Sequence, residues 1–410
     1  MEPLAPSFET EDAAKEFVRE RIDVPVGAEV HHLAVGLTLR TFPLDLENGM
    51  FTNVYDLSVS SSDIRHSIEF PERLTSVFDR MKADLGVRAA ISGGFFFLAD
   101  RANGEPRELG LNLALSNGQL LSFPVVDRET LIASEGRLSA QTLQALGVLS
   151  INDKDVVWSG SLTPHSSEAK VFGNGNSVIA HVANDLTGSV RALDESSRYT
   201  PVKEADDDTV DVGFMRREDG SFVGIASSKT GGIDTFNYDV ALRLHERHVA
   251  KGLPEMRART VGSLAVDGSR LSAVSVGPML DETDFTGHAI NYDLSLGGRP
   301  PFVDVPLARA IVYADDSGLV HYRLFDGRPG SPVFPGVTPA QAAEIIKQET
   351  VVAWGCFLDP GQTAKMVTRH ESELESHGNR HYLKWPNYPG ERFIWVPATG
   401  RPVASIITLR

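Results

Sequence analysis

Two aspartates, Asp326 and Asp359, each sit just past an apolar, strand-like run (319–325 and 351–358). Each is close to glycine, in Asp326-Gly327-Arg328 and Asp359-Pro360-Gly361. Carboxylates held at strand ends can supply an acid and a base to one reaction. Flexible backbone beside them leaves room for a ligand. Arg309 and Arg328 belong to the same stretch, and a guanidinium can grip phosphate or carboxylate through two parallel hydrogen bonds. Two glycine turns, Ser92-Gly93-Gly94 and Gly361-Gln362-Thr363, could aim backbone N–H groups at an anion. A plainer reading stands beside this one. Asp326 caps a turn, Asp359 holds its loop through side-chain hydrogen bonds, the arginines pair on the surface, and the glycines serve positive φ. Spacing alone leaves both readings open.

The elements that must position these residues follow from pattern. Thr338-Pro339-Ala340-Gln341 opens a helix with a capping box and proline at the first helical position, and the helix runs to about Thr350. The strand 351–358 then leads into Asp359. Leu74, Val77, Phe78, Met81 and Leu85 share a helical face over 71–85, with Gly86 as terminator, and a strand over 87–91 leads into Ser92. Both units read helix, short loop, strand, glycine turn. Laid side by side, they would bring both turns to one rim of a sheet. Ser116-Asn117-Gly118 signals a hairpin over 108–123, and Glu218-Asp219-Gly220 signals another. The segment 9–22 reads as an amphipathic helix, as does 238–251 with Val240, Leu242, Leu244 and Val249.

The order Arg309, Asp326-Gly327-Arg328, a Gly/Pro-rich loop at 329–336, Thr338 with its helix, then Leu358-Asp359-x-Gly361 resembles the phosphodiester glycosidase family. Ile91-Ser92-Gly93-Gly94-Phe95-Phe96 is similar to that family's Asn-Gly-Gly-Phe-Phe turn, and Arg401-Pro402-Val403-Ala404-Ser405 to its closing strand. The resemblance covers about residues 30–410. It implies a hydrolase cutting a sugar-1-phosphodiester or a related glycosidic linkage. Asp326 and Asp359 would carry acid, base or electrostatic roles at the anomeric carbon. Ser92, Gly93, Gly94, Arg309, Arg328, Gly361, Gln362 and Thr363 would bind the substrate. Ser92 stands where the family has asparagine. Pro360, Gln362 and Thr363 replace two glycines and a serine, and Ala310 replaces threonine. These departures bear on substrate and activity. They keep two alternatives in view: a repurposed or inactive fold binding a saccharide or phosphorylated metabolite, and an intracellular tailoring enzyme of a small-molecule pathway.

The fold expected is α+β: a mixed sheet with packed helices. An N-terminal helical extension (1–27) precedes the family-like domain, in two parts (28–162 and 253–410) around an insertion (163–252). A net charge of −16 argues against a nucleic-acid partner or an anionic membrane surface. The expected partner is therefore a small sugar phosphate or glycoside. The single cysteine, Cys356, allows no disulfide within the chain and reads as a buried small hydrophobe. The start of the sequence lacks a basic-then-apolar leader and no apolar run is long enough to span a bilayer, so the expected location is the cytoplasm. His370, His377, His381 and the His245-Glu246-Arg247-His248 run read as solvated histidines, since none has zinc-protease spacing. Phe172-Gly173-Asn174-Gly175-Asn176 reads as a turn and not a dinucleotide loop. No cofactor is indicated. Carboxylate chemistry allows a divalent ion near Asp326 and Asp359, but no ligand motif calls for one.

Overall fold

A computed structural model describes residues 7–8, 10, 12–13, 16, 25–72, 75–100, 106–110, 112–160, 166–173, 208–229, 233, 237–266, 268–283, 285, 305–328, 331–378, 382–384, 393–395, 400 and 402–410. The helix expected over 9–22 lies mostly outside these residues. The chain forms two units. The first comprises 1–94, 277–285 and 303–410, and the second 95–276 and 286–302.

The first unit is built on two antiparallel sheets. One has six strands in the order β1 (Glu29–Ala34), β2 (Leu37–Asp45), β3 (Phe51–Val59), β7 (Val320–Phe325), β6 (Arg309–Asp315) and β8 (Val352–Phe357). The other has five, in the order β10 (Glu373–His377), β9 (Met366–His370), β5 (Ala89–Ser92), β11 (Ile406–Leu409) and β4 (His66–Glu69). Alternation along each strand sorts the side chains. Val54, Ile311, Tyr313, Phe325 and Phe357 pack under helix α2 (Pro339–Glu349), which presents Ala342, Ala343 and Ile346 to them. Tyr55 and Tyr322 point the other way, toward the five-stranded sheet. Tyr55 lies 4.6 Å from the His377 ring, and the Tyr322 hydroxyl meets His66 Nδ1 at 2.5 Å. On the outer face of the five-stranded sheet, Arg369 donates to the Val87 and Met81 carbonyls at the end of α1 (Val77–Ala83).

The second unit contains a five-stranded sheet and a closed barrel. Strands 146–151, 154–160, 169–173, 240–245, 209–216, 222–228 and 255–261 each pair with the next, and the last pairs back onto the first. Closure removes the unpaired edges that an open sheet would present. Trp158, Phe214 and Phe222 are fully buried there.

The α+β expectation is corrected. Among the described residues, strands make up 51% and helix 11%, with two α-helices. The helix expected over 238–251 is the strand Val240–His245, followed by a short 3-10 turn. Val240, Leu242 and Leu244 are spaced by two, and all three are buried in the barrel. That period belongs to a strand. The helix expected over 71–85 starts only at Val77, because Thr75 bridges Val403 and the Ser76 side chain caps the Asp79 N–H. The two helix–strand–turn units belong to different, facing sheets and not to one.

Burial pushes His66 down to about 4. The folded state therefore holds this ring neutral where the unfolded chain would protonate it. Stability from this group is complete above about pH 6.5 and is lost as pH falls toward 4, by about 3 kcal/mol. Urea unfolding across pH 4–7 is expected to show that loss. It should be much smaller in His66→Gln, which keeps an acceptor for Tyr322.

Candidate active site

The stretches singled out above meet at one end of the first unit. β5 ends at Ser92, whose N–H donates to the Lys365 carbonyl while its Oγ accepts the Lys365 N–H at 3.2 Å. Gly93 N–H donates to the Ser405 carbonyl and Gly94 N–H to Ser405 Oγ. The Gly93 carbonyl accepts the Asp359 N–H at 3.0 Å. Glycine is required at 93 by contact: a Cβ there would stand 2.5 Å from Ser405 Oγ and 3.0 Å from its carbonyl carbon. All three N–H groups of the turn are thus engaged within the protein, and a nest for an anion would need those bonds broken.

Asp359 follows β8 and is half-buried. Gly361, at φ +66°, donates its N–H to the Ala308 carbonyl, next to Arg309. It opens the 3-10 turn Gly361–Thr363, which also contains Gln362. Thr363 is buried, with its hydroxyl on the Pro360 carbonyl at 2.7 Å. Here too the backbone and the hydroxyl hold the turn together.

Asp326 follows β7 and is 1% exposed. Its N–H donates to the Asn53 carbonyl, its carbonyl accepts from Thr52 Oγ1, and its Oδ1 accepts the Gly327 N–H. The alternation of β7 continues into Asp326 on the side of Tyr322 and Leu324. Gly327 packs against Gly336, where a Cβ would come within 2.2 Å of the Gly336 Cα. Arg328 is buried, and Ser331 and Phe334 close its loop through backbone hydrogen bonds. Arg309 is opposite Phe325 and therefore faces the α2 side. Its Nε donates to the Val337 carbonyl and an Nη to the Val305 carbonyl. Burial pushes its guanidinium down to about 9, so it stays charged at neutral pH. Asp326 and Arg309 thus come from adjacent strands but from opposite faces of their sheet.

Two residues of this region have surroundings that sequence reasoning missed. Lys365, in Ala364-Lys365-Met366-Val367, is fully buried with its Nζ 3.0 Å from the Gly378 carbonyl. A lysine inside an apolar run was the available signal. His377, read as solvated, is 1% exposed, packed at a tilt against the Tyr55 ring and within reach of Thr368 Oγ1. Its place in an alternating, charged strand hid this. His370 is exposed, and His381 lies outside the described residues.

No family model and no curated protein matches the chain. Among solved structures, a hypothetical protein from Synechocystis superposes with a TM-score of 0.53 at 13% identity, covering 94% of this chain. The chain spans 64% of that protein's length, and the likeness establishes a shared fold alone. A protein from Burkholderia pseudomallei K96243 gives a TM-score of 0.48 at 14% identity, covering 88% of this chain and 74% of its own. The catalytic domain of zebrafish N-acetylglucosamine-1-phosphodiester alpha-N-acetylglucosaminidase gives 0.39 at 14% identity, covering 100% and 96%. Neither of the last two superpositions is close enough to define a shared fold.

Gly327→Ala places a methyl group against backbone that has no flexible end to move. It is expected to cost about 2–3 kcal/mol of stability. Gly318→Ala, where nothing lies within 4 Å of the added carbon but φ is +84°, should cost about 1 kcal/mol. Thermal unfolding of the two variants side by side checks the difference.

Proposed function

We propose that this protein is a hydrolase of the phosphodiester glycosidase kind, acting on a sugar-1-phosphodiester or a related glycosidic linkage at the site built from Asp359, Asp326 and the turns around them. One observation carries the reading. Four stretches far apart in sequence, which together resemble that family's motifs, are joined by the Gly93–Asp359, Ala308–Gly361 and Ser405–Gly93 hydrogen bonds. Asp359 is the half-buried carboxylate, suited to exchanging protons with a substrate, and Asp326 is the buried one. Departure of phosphate needs less protonation than departure of an alcohol, so charge stabilisation at the anomeric carbon is the larger demand on the pair. With the turn N–H groups engaged, side-chain cations such as Arg328 are the candidates for meeting the phosphate.

Turnover on a panel of sugar-1-phosphodiesters, followed by released sugar, tests this. Asp359→Asn is expected to lower kcat by about 100-fold or more with the circular dichroism spectrum unchanged. No turnover on any member, with sugar phosphate bound equally by the native protein and Asp359→Asn, would favour a binding protein on the same fold.

A further inference from the structure

A cleft of about 210 Å3 opens in the second unit where two hairpin turns meet. One turn is Asn117-Gly118, between the strands Ala114–Ser116 and Gln119–Ser122. The other is Glu218-Asp219-Gly220, between Thr209–Arg216 and Phe222–Ser228. Buried Leu120, Ala258 and Val266 give the cleft an apolar lining. Asn117, Gln119, Glu218, Asp219 and Arg257 give it a polar one. Its parts are fixed from within. The Asn117 N–H donates to Ser272 Oγ at 3.0 Å and the Gly118 N–H to the Leu271 carbonyl at 2.8 Å. Gly118 has φ +78°, and a Cβ there would stand 2.2 Å from the Ser269 carbonyl oxygen, so only glycine fits. Gln119 Nε2 reaches the Glu218 carbonyl at 3.4 Å and joins the two turns. Asp219 Oδ1 accepts from the Ser221 N–H and hydroxyl, while its Oδ2 and its carbonyl accept from Arg257. Among the described residues, the Glu218 carboxylate, the Gln119 amide oxygen and the Asn117 amide have no hydrogen-bond partner. The Ser269 hydroxyl, buried beside Gly118, has none there either.

We propose that this cleft binds one neutral sugar ring. A pyranose carries hydroxyls that both donate and accept around its edge, and C–H groups on its faces. The cleft offers a carboxylate acceptor, two amides and a guanidinium beside an apolar surface. Pockets that enclose drug-sized ligands run to roughly 300–1,000 Å3, so this smaller space takes a single ring. Other ligand classes fit less well. A phosphate would face two carboxylates and a guanidinium already paired with one of them. A divalent cation would find both Asp219 carboxylate oxygens engaged and Arg257 beside them. A nucleobase would find no aromatic ring to stack on among the described lining residues. The site uses no residue of the one under Proposed function and stands whether or not that reading holds.

The test uses the full chain labelled with 15N at asparagine and glutamine side chains. The amide signals missing from Asn117→Asp and from Gln119→Glu report on the cleft itself. The probes are the methyl glycosides of glucose, galactose, mannose and N-acetylglucosamine, with inorganic phosphate as the anionic control. At least one sugar is expected to move both signals with a midpoint at about millimolar concentration, the strength of a few hydrogen bonds at an open site. Glu218 is exposed, so Glu218→Ala keeps the fold, and it should weaken that sugar by about tenfold through loss of a charged acceptor. Signals unmoved by every sugar at about 100 mM overturn the proposal. So does a midpoint unchanged in Glu218→Ala, and so does a larger response to phosphate than to any sugar. The signals belong to the second unit and need no turnover, so failure of this site and failure of phosphodiester hydrolysis are told apart.

Discussion

The hydrogen bond from the Asp359 N–H to the Gly93 carbonyl links the end of β8 to the end of β5, strands that belong to two facing sheets. It forms only because the chain around Gly93 comes closer to Ser405 than any residue with a Cβ allows. The same device recurs where Gly327 meets Gly336. Backbone-to-backbone contact of this kind is rigid, since no side chain can rotate to absorb a shift. The carboxylates at these strand ends inherit their positions from it.

Burial of charge is the second constraint on this region. The chain carries an excess of sixteen negative charges, yet Arg309, Arg328 and Lys365 are all buried in the first unit. Arg309 has carbonyl oxygens from Val337 and Val305 around it, which stabilise a guanidinium without neutralising it. On the α2 face, Arg323 binds Asp56 Oδ2 at 3.1 Å and approaches Glu349 at 2.7 Å. Burial by itself would raise the Asp56 carboxyl, but His321 and Arg323 outweigh it and hold it at about 2. On the α2 face of this sheet, the buried charges are thus each held by partners of their own.

Local signals were legible where chemistry and geometry are local. Thr338 and Gln341 form both hydrogen bonds of the capping box read from their spacing. Asn117 and Gly118 take the positive φ values that a two-residue hairpin turn demands. The meeting of the Ser92 and Asp359 turns was legible as well, though as neighbours in one sheet. What escaped was set at long range. Whether Val240–Leu244 is strand or helix depends on partners at 169–173 and 209–216, which short apolar runs do not encode. Burial of His377 depends on Tyr55, more than three hundred residues earlier, and burial of Lys365 depends on the turn at Gly378.

The junctions of the second unit have a consequence for folding order. The chain leaves the first unit after Gly94 and returns at Gly277, whose N–H binds the Phe357 carbonyl, two residues before Asp359 binds Gly93. Exit and return are thus stitched to the same short segment. The entropy of closing a long loop grows only with the logarithm of its length, so a large excursion can be carried at this point with modest loss. Its effect is kinetic. β11 lies between β5 and β4, and Thr52 meets Asp326 across 274 positions of sequence. Contacts so distant form late. The barrel, with its mostly nearer pairings, can be complete while the strand ends that carry Asp326 and Asp359 are still waiting for their partners.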